Sequence, residues 1–99
     1  MGKKSLIKVK FFSTLRSIMK SDSQDLEIQS NLTLSEAFKI LNEEIFMPKN
    51  YTILSKTQSD LVPGILCLVD GVDYRLWMED HKEIKEVKEI TFISSLHGG

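Results

Sequence analysis

The strongest local signal in this sequence is the beginning of one amphipathic helix. Thr33 and Glu36 are three residues apart, so the Thr33 hydroxyl can accept the Glu36 amide hydrogen while the Glu36 carboxylate accepts the Thr33 amide hydrogen. Apolar residues then recur at three- and four-residue spacing, as a helix with one buried face requires. They are Leu34, Ala37, Phe38, Leu41 and Ile45. The pattern predicts a helix from Leu34 to about Ile45 that ends before Pro48.

Strand patterns precede this helix. Residues 5–12 alternate between polar and apolar types, which predicts a strand with Ile7, Val9 and Phe11 on one face. Residues 25–30 indicate a second, shorter strand. We expect the two strands to pair as a hairpin whose connection holds a short helical turn.

Strand patterns also follow the helix. Residues 65–69 form a nearly continuous apolar run, typical of a strand that is buried on both faces. Asp70 and Gly71 then favour a tight turn, with residues 72–76 returning as a strand. Residues 89–95 predict the last strand.

Two connecting segments are less regular. Residues 51–54 fit either a short strand or a packed loop within the long connection 48–63. Residues 79–89 are mostly charged and favour a solvated surface, with Ile84 and Val87 as apolar anchors.

One amphipathic helix among several strands favours an α+β fold in which the helix covers one face of a mixed sheet. This arrangement is the β-grasp architecture. We expect a single domain over residues 1–95 and a flexible tail over residues 96–99. The sheet face under the helix is predicted to present Ile7, Val9, Phe11, Ile65, Cys67, Val69, Ile90 and Phe92.

The composition excludes several classes of function. The 99 residues include 13 basic and 14 acidic ones, a balance that gives no electrostatic footprint for nucleic acid. We find no apolar run long enough to span a bilayer and no pattern of a signal peptide. Cys67, the only cysteine, lies on the core-facing register and predicts a buried structural thiol, while His81 predicts a surface residue. The sequence thus predicts no catalytic residues, no metal site and no bound cofactor.

The sequence ends in Leu96-His97-Gly98-Gly99, directly after the last predicted strand. A terminal carboxylate that enters the active site of another enzyme needs a thin and permissive backbone behind it. Two glycines provide this because they lack Cβ atoms. The pattern indicates a protein that is itself a substrate, activated at its carboxyl end.

Three segments carry a resemblance to a known family. Residues 7–12 with Leu15 and Arg16, residues 63–70 with Asp73 and Tyr74, and the ending 92–99 resemble the ubiquitin-related modifiers. These are ubiquitin-like sulfur carriers, related to MoaD and ThiS. Two departures are the Lys85–Glu89 stretch, where such families often have an acidic turn, and residues 44–60, which match no motif.

The resemblance implies a pathway in which Gly99 is the reactive residue and Leu96, His97 and Gly98 form the tail needed for activation. An adenylating enzyme of the ubiquitin-activating type would use ATP to activate Gly99, and its rhodanese-like sulfurtransferase part would convert the carboxylate to a thiocarboxylate. The sulfur would serve 2-thiolation of the wobble uridine in transfer RNA by a tRNA thiolation complex. The activated tail would also be joined to lysines of target proteins. The resemblance implies a cytoplasmic, monomeric carrier rather than an enzyme, without direct contact with nucleic acid or membrane.

Alternation along the strands also predicts a partner-docking patch. Four apolar side chains are expected on the sheet face opposite the helix, near the point where the tail leaves the sheet. They are Phe12, Leu66, Leu68 and Ile93. The alternative is that the connection 48–63 covers them.

Two other functions stay open from the sequence. One is a MoaD-like small subunit of molybdopterin synthase, although the Leu-His-Gly-Gly ending argues against it. The other is a ubiquitin-like binding module whose terminal glycines are incidental.

Overall fold

A five-stranded mixed sheet forms the centre of the computed structural model, which describes residues 3–57 and 60–94. The order of the strands across the sheet is β2-β1-β5-β3-β4. Their bounds are β1 Lys4–Phe12, β2 Ser23–Gln29, β3 Ile65–Val69, β4 Val72–Asp73 and β5 Glu89–Ser94. Three α-helices accompany them: α1 Thr14–Met19, α2 Leu34–Leu41 and α3 Tyr74–Asp80. No helix among the described residues is long and apolar enough to cross a membrane.

The strand pairing places the first and the last strand side by side in the middle of the sheet. β1 pairs antiparallel with β2, with α1 in their connection, which confirms the predicted hairpin and its helical turn. β1 also pairs in parallel with β5, so Phe12 lies beside Ile93. β3 runs antiparallel to β5 on the other side, where Leu66 lies beside Ile93.

Helix α2 begins with the predicted capping box. The Thr33 amide donates to Glu36 Oε1 at 2.9 Å, and the Glu36 amide donates to Thr33 Oγ1 at 3.2 Å. After Leu41 the helix continues as a π-helical turn over Asn42–Phe46 and a 3-10 turn over Met47–Lys49. The wider π turn lets the adjacent residues Ile45 and Phe46 both enter the core. The prediction of a helix to about Ile45 is therefore confirmed, whereas Pro48 lies inside the 3-10 turn.

The hydrophobic core lies between α2 and one face of the sheet. Phe46 packs edge-on against Phe11 and Phe92, with ring centroids 5.7 and 5.2 Å apart, and the Phe38 ring lies 6.0 Å from Phe92. Cys67 is buried in this core, where desolvation raises the pKa of its thiol. All eight residues predicted for the sheet face under the helix are buried.

Two strand predictions are wrong in part. β3 is buried on only one face, since Leu66 is 50% exposed while its neighbours are buried. The strand predicted over residues 72–76 ends at Asp73, and α3 begins at Tyr74. Asp73 causes this change, because its Oδ1 accepts the Arg75 amide hydrogen at 2.9 Å and caps the new helix.

The connection before β3 is a packed loop with a single bridge between Leu54 and Leu61. Asn42 ties it to the π turn, because Asn42 Oδ1 accepts the Ile53 amide hydrogen at 2.8 Å and the Thr52 hydroxyl at 3.2 Å. Ile53 is fully buried as a result. The open alternative at residues 51–54 is thus resolved as a loop.

The charged segment after α3 is anchored as predicted, because Ile84 and Val87 are both buried. These anchors and the packed loop join the same hydrophobic core as α2 and the sheet. The boundary between a domain at 1–95 and a tail at 96–99 stays a prediction, since residues 95–99 lie outside the described part of the chain.

Candidate functional site at the free face of the sheet

The sheet face opposite α2 carries a contiguous apolar patch. Phe12, Ile93 and Leu66 are register neighbours across β1, β5 and β3. Phe12 is 37% and Leu66 50% exposed, and Ile93 is half-buried between them. Leu68 is half-buried two residues further along β3, beside the buried Thr91. The structure therefore brings together all four residues that the sequence predicted for this face, hereafter the apolar patch (Phe12, Leu66, Leu68, Ile93).

The connection 48–63 does not bury this patch, because its apolar residues point into the core. Ile53, Leu54 and Leu61 are each buried there. Among the described residues, Leu66 and Phe12 remain accessible to solvent. A large exposed aromatic beside an exposed leucine is typical of a surface that contacts another molecule.

Two cations lie over the aromatic ring of the patch. Lys10 Nζ is 5.6 Å from the Phe12 ring centroid, and the Arg16 guanidinium carbon is 5.7 Å from it. Each cation also has an acidic neighbour: Lys10 Nζ lies 3.8 Å from Glu89, and Arg16 Nε lies 3.2 Å from Asp22. The Phe12 edge of the patch is therefore lined by two cations, each of which is held by an ion pair with an acid. Sequence reasoning missed this rim because the ion pairs depend on how the chain folds: Asp22 follows α1 and Glu89 begins β5.

The apolar patch lies at the point where β5 ends. Ser94 is the last residue of β5, follows Ile93 directly and pairs with Ile65. The last described residue of the chain thus lies at the border of the patch. Leu96, His97, Gly98 and Gly99, the predicted reactive tail, lie outside the described residues.

The remaining titratable groups within residues 3–57 and 60–94 form no metal-binding cluster. No group of three or more His, Cys, Asp or Glu side chains there is placed to hold a metal ion. His81 is exposed as expected, but its ring stacks on Trp77 with centroids 4.7 Å apart, and its Nδ1 lies 3.0 Å from the Trp77 carbonyl oxygen.

A second polar arrangement, also missed from the sequence, joins the packed loop to α3. The Tyr74 hydroxyl donates to Asp60 Oδ1 at 2.6 Å, and the Leu61 amide donates to the same oxygen at 2.7 Å. These hydrogen bonds lower the pKa of Asp60, with the Tyr74 bond as the largest cause. Burial, followed by the Asp60 contact, raises the pKa of Tyr74 to about 12. The arrangement fastens the loop and is not a reaction centre.

A protein-family model identifies the chain. The model described as Urm1, ubiquitin related modifier, matches residues 6–99. The chain belongs to the ubiquitin-related modifier family. The match covers β1, the apolar patch and the Gly-Gly ending together.

Curated relatives and solved structures are similar to this chain over most of its length. The ubiquitin-related modifier 1 homolog of Caenorhabditis elegans is 26% identical over 83% of this chain and 84% of the relative. The homolog of Bombyx mori is 35% identical over 79% of this chain and 66% of the relative. The solution structure of Urm1 from Trypanosoma brucei superimposes with a TM-score of 0.63 at 25% identity and covers both chains completely.

A further solved structure supports the fold. The crystal structure of a Rurm1-related protein from Plasmodium yoelii gives a TM-score of 0.73 at 21% identity, covering 95% of this chain and 100% of that one. These neighbours and the mixed sheet with its covering helix confirm the predicted ubiquitin-like β-grasp fold of the α+β class. The protein is a ubiquitin-like modifier.

Proposed function

We propose that this modifier is a sulfur carrier whose reactive group is the carboxylate of Gly99. The observation that carries the proposal is the family match through residue 99, which includes Leu96, His97, Gly98 and Gly99. The apolar patch at the end of β5 supports it, because a partner bound there lies beside the chain that leads to the tail. We place this activity in the cytoplasm.

The proposed chemistry takes place in the partner, an adenylating enzyme of the ubiquitin-activating type with a rhodanese-like sulfurtransferase part. A carboxylate oxygen of Gly99 attacks the α-phosphorus of ATP and pyrophosphate leaves. The persulfide of the sulfurtransferase attacks the resulting acyl-adenylate, and AMP leaves. A thiol of the partner then cleaves the S–S bond and is oxidised to a disulfide, which releases the thiocarboxylate. The carrier contributes position and a permissive backbone.

Two destinations follow for the activated tail. A tRNA thiolation complex takes the sulfur for 2-thiolation of the wobble uridine, so transfer RNA meets the carrier only through this complex. Alternatively, a lysine amine of a target protein attacks the carbonyl of the Gly99 acyl-adenylate, AMP and a proton leave, and an isopeptide bond forms. ATP is a substrate of the activating enzyme, and the carrier itself holds no cofactor in either route.

The apolar patch is the proposed docking surface for the activating enzyme. Its exposed members Phe12 and Leu66 are not among the buried core residues, so their substitution separates docking from folding. Phe12→Asp should reduce ATP–pyrophosphate exchange by at least about tenfold, since a buried carboxylate in an apolar contact is costly. Met47→Asp is the matched control, because Met47 is 52% exposed on the turn after α2. Equal exchange rates for both variants would exclude the patch as the docking surface.

The destination of the sulfur is tested in cells that lack the gene. We expect bulk transfer RNA to lose 2-thiouridine and to regain it with the full chain, but not with a chain lacking Gly98 and Gly99. Rescue by the truncated chain would favour a binding module. Unchanged 2-thiouridine together with a stable complex with the large subunit of molybdopterin synthase would favour the MoaD-like alternative.

A further inference from the structure

The outer edge of β2 is a strand edge with unpaired backbone groups in the described part of the chain. β2 is the first strand in the order of the sheet and pairs only with β1. The register of this pair shows which groups point outward. The Phe11 amide donates to the Asp22 carbonyl at 2.9 Å, and the Ser30 amide donates to the Lys3 carbonyl at 2.8 Å. Because bonded and outward-facing residues alternate in an antiparallel pair, the odd-numbered residues of β2 direct their N–H and C=O groups away from the sheet.

One end of this edge is already closed. The Ser21 hydroxyl donates to the Ser23 carbonyl at 2.7 Å and accepts the Ser23 amide hydrogen at 3.2 Å. Both outward groups of Ser23 are therefore occupied by a side chain of the same turn. The open part of the edge is the stretch 25–29, where Asp25, Glu27 and Gln29 present their backbone groups to solvent.

Charge determines what can pair with this stretch. Asp25 and Glu27 are exposed, and neither forms an ion pair with any described residue. A strand added to the edge places its own side chains directly opposite these carboxylates, where opposite charges stabilise and like charges destabilise. A second copy of the chain could pair antiparallel with this edge so that the two Leu26 residues lie opposite each other. Asp25 of each copy would then lie opposite Glu27 of the other copy. The charge of this edge thus disfavours pairing with a second copy of the chain and favours pairing with a basic segment.

The pairing of β2 with β1 shows which residues already lie opposite the acids of β2 within this chain. β1 places Lys8 opposite Asp25, with Val9 as the next residue along β1. On the other face of β2, Leu26 is half-buried and Ile28 is buried. In an added strand, an apolar residue between two basic ones would lie on this face and extend the core at the edge. A strand with basic and apolar residues in alternation fits the outer edge for the same reasons.

We propose that the β2 edge over residues 25–29 binds an extended polypeptide segment with lysine or arginine at alternate positions and apolar residues between them. The added segment pairs antiparallel with β2 and extends the sheet by one strand. This surface is the outer edge of β2, whereas the apolar patch lies on β1, β5 and β3, and binding at the edge needs neither the patch nor Gly99. It is therefore independent of the sulfur-carrier function.

The test is an NMR titration of the ¹⁵N-labelled full chain with a capped peptide of alternating lysine and valine. We expect the amide signals of Asp25, Glu27 and Gln29 to shift most, because their hydrogens gain new acceptors. The amides of Gln24 and Leu26 already face β1 and should shift less. Shifts centred on Phe12 and Leu66, or no saturable shift, would overturn the proposal.

Charge and backbone contributions are tested separately. Combining Asp25→Lys with Glu27→Lys should weaken binding of the basic peptide by roughly tenfold or more. Glu43→Lys, an exposed acid on the π turn, is the control and should leave binding unchanged. Equal weakening of peptide binding by the double variant and by Glu43→Lys would show nonspecific charge attraction and contradict the proposal.

The backbone test changes the peptide and leaves the protein intact. In an antiparallel pair the lysine amides face β2, so N-methylation of the lysines should abolish binding and N-methylation of the valines should not. Loss only with the valine-methylated peptide would indicate parallel pairing and refute the antiparallel arrangement. Binding of both methylated peptides would refute strand addition altogether.

Discussion

The two faces of the sheet use similar apolar residues for opposite purposes. On the core face, Phe92 is fully buried and lies within ring contact of Phe38 and Phe46. On the free face, its neighbour along the strand, Ile93, is half-buried beside the exposed Phe12 and Leu66. One residue step along β5 thus separates the hydrophobic core from the proposed docking surface. Phe12 and Leu66 stay exposed in the folded chain, which is why we propose a partner for the free face.

The largest expected loss of stability is at the core face of the sheet. Phe92→Ala should lower the free energy of unfolding by about 3–5 kcal/mol, because it removes a buried ring from the packed aromatic cluster and leaves a cavity. Ile93→Ala is the matched substitution on the free face and should cost about 1 kcal/mol. Urea denaturation measures both. Similar losses for the two variants would contradict the division between the faces.

A smaller effect is expected at the beginning of the helix that covers the core face. Thr33→Ala removes the hydroxyl that accepts the Glu36 amide hydrogen and should cost about 1 kcal/mol. Thermal unfolding followed by circular dichroism measures the change. Ser35→Ala, an exposed position in the first turn, should change stability by less than about 0.5 kcal/mol. No difference between the two variants would show that the capping box does not stabilise α2.

A change of similar size in the free energy of unfolding, which depends on pH, is expected at the contact between Asp60 and Tyr74. Tyr74→Phe removes one hydrogen bond to a partly exposed carboxylate and should cost about 1 kcal/mol at neutral pH. The pKa of Asp60 is lowered in the folded state, so its stabilising contribution is present above the unfolded pKa and is lost as the pH falls through the folded value. The pKa of Tyr74 is raised to about 12, so its contribution is lost as the pH rises from about 10 towards 12.

Urea denaturation from acid to alkaline pH measures this pH dependence as the difference between the wild type and the Tyr74→Phe variant. The difference should be constant near neutral pH and shrink at both extremes. Tyr51→Phe is a control for the acid side, because no hydrogen bond of the Tyr51 hydroxyl connects it to an acid among the described residues. A difference that is independent of pH would contradict the assigned cause of the shifts.

The smallest expected effect on stability is at the exposed side of β3. Leu66→Ser should change the free energy of unfolding by less than about 0.5 kcal/mol, because the side chain is half exposed and is not one of the buried core residues. The same variant should weaken binding to the activating enzyme, measured by calorimetry. A large loss of stability would mean that the free face is part of the folding core.

The sequence predicted those parts of the structure whose signals are local. Helix α2 follows from a capping box and an apolar stripe, and β1 follows from alternation, so both could be derived before the fold was known. Helix α3 could not, because Val72, Tyr74 and Leu76 alternate as a strand does. The deciding contact is the Asp73 carboxylate with a backbone amide two residues away.

The candidate site was predicted in its residues but not in its electrostatics. Alternation alone placed Phe12, Leu66 and Ile93 on one face, since strand geometry fixes the side of each residue. The cations over Phe12 depend on Asp22 and Glu89, which reach them only through the packing of β2 and β5. The exposure of Leu66 could not be derived from the apolar run of β3 itself, because such a run has the same sequence whether its second face is covered by protein or open to solvent.

The central claim is that Gly99 carries sulfur, and intact-mass spectrometry with C-terminal fragmentation tests it most directly. The chain is incubated with its activating enzyme, ATP and a sulfur donor. We predict the replacement of one oxygen by sulfur in the terminal fragment that contains Gly99. Recovery of only the unmodified carboxylate, while a known carrier is converted under the same conditions, would contradict the account.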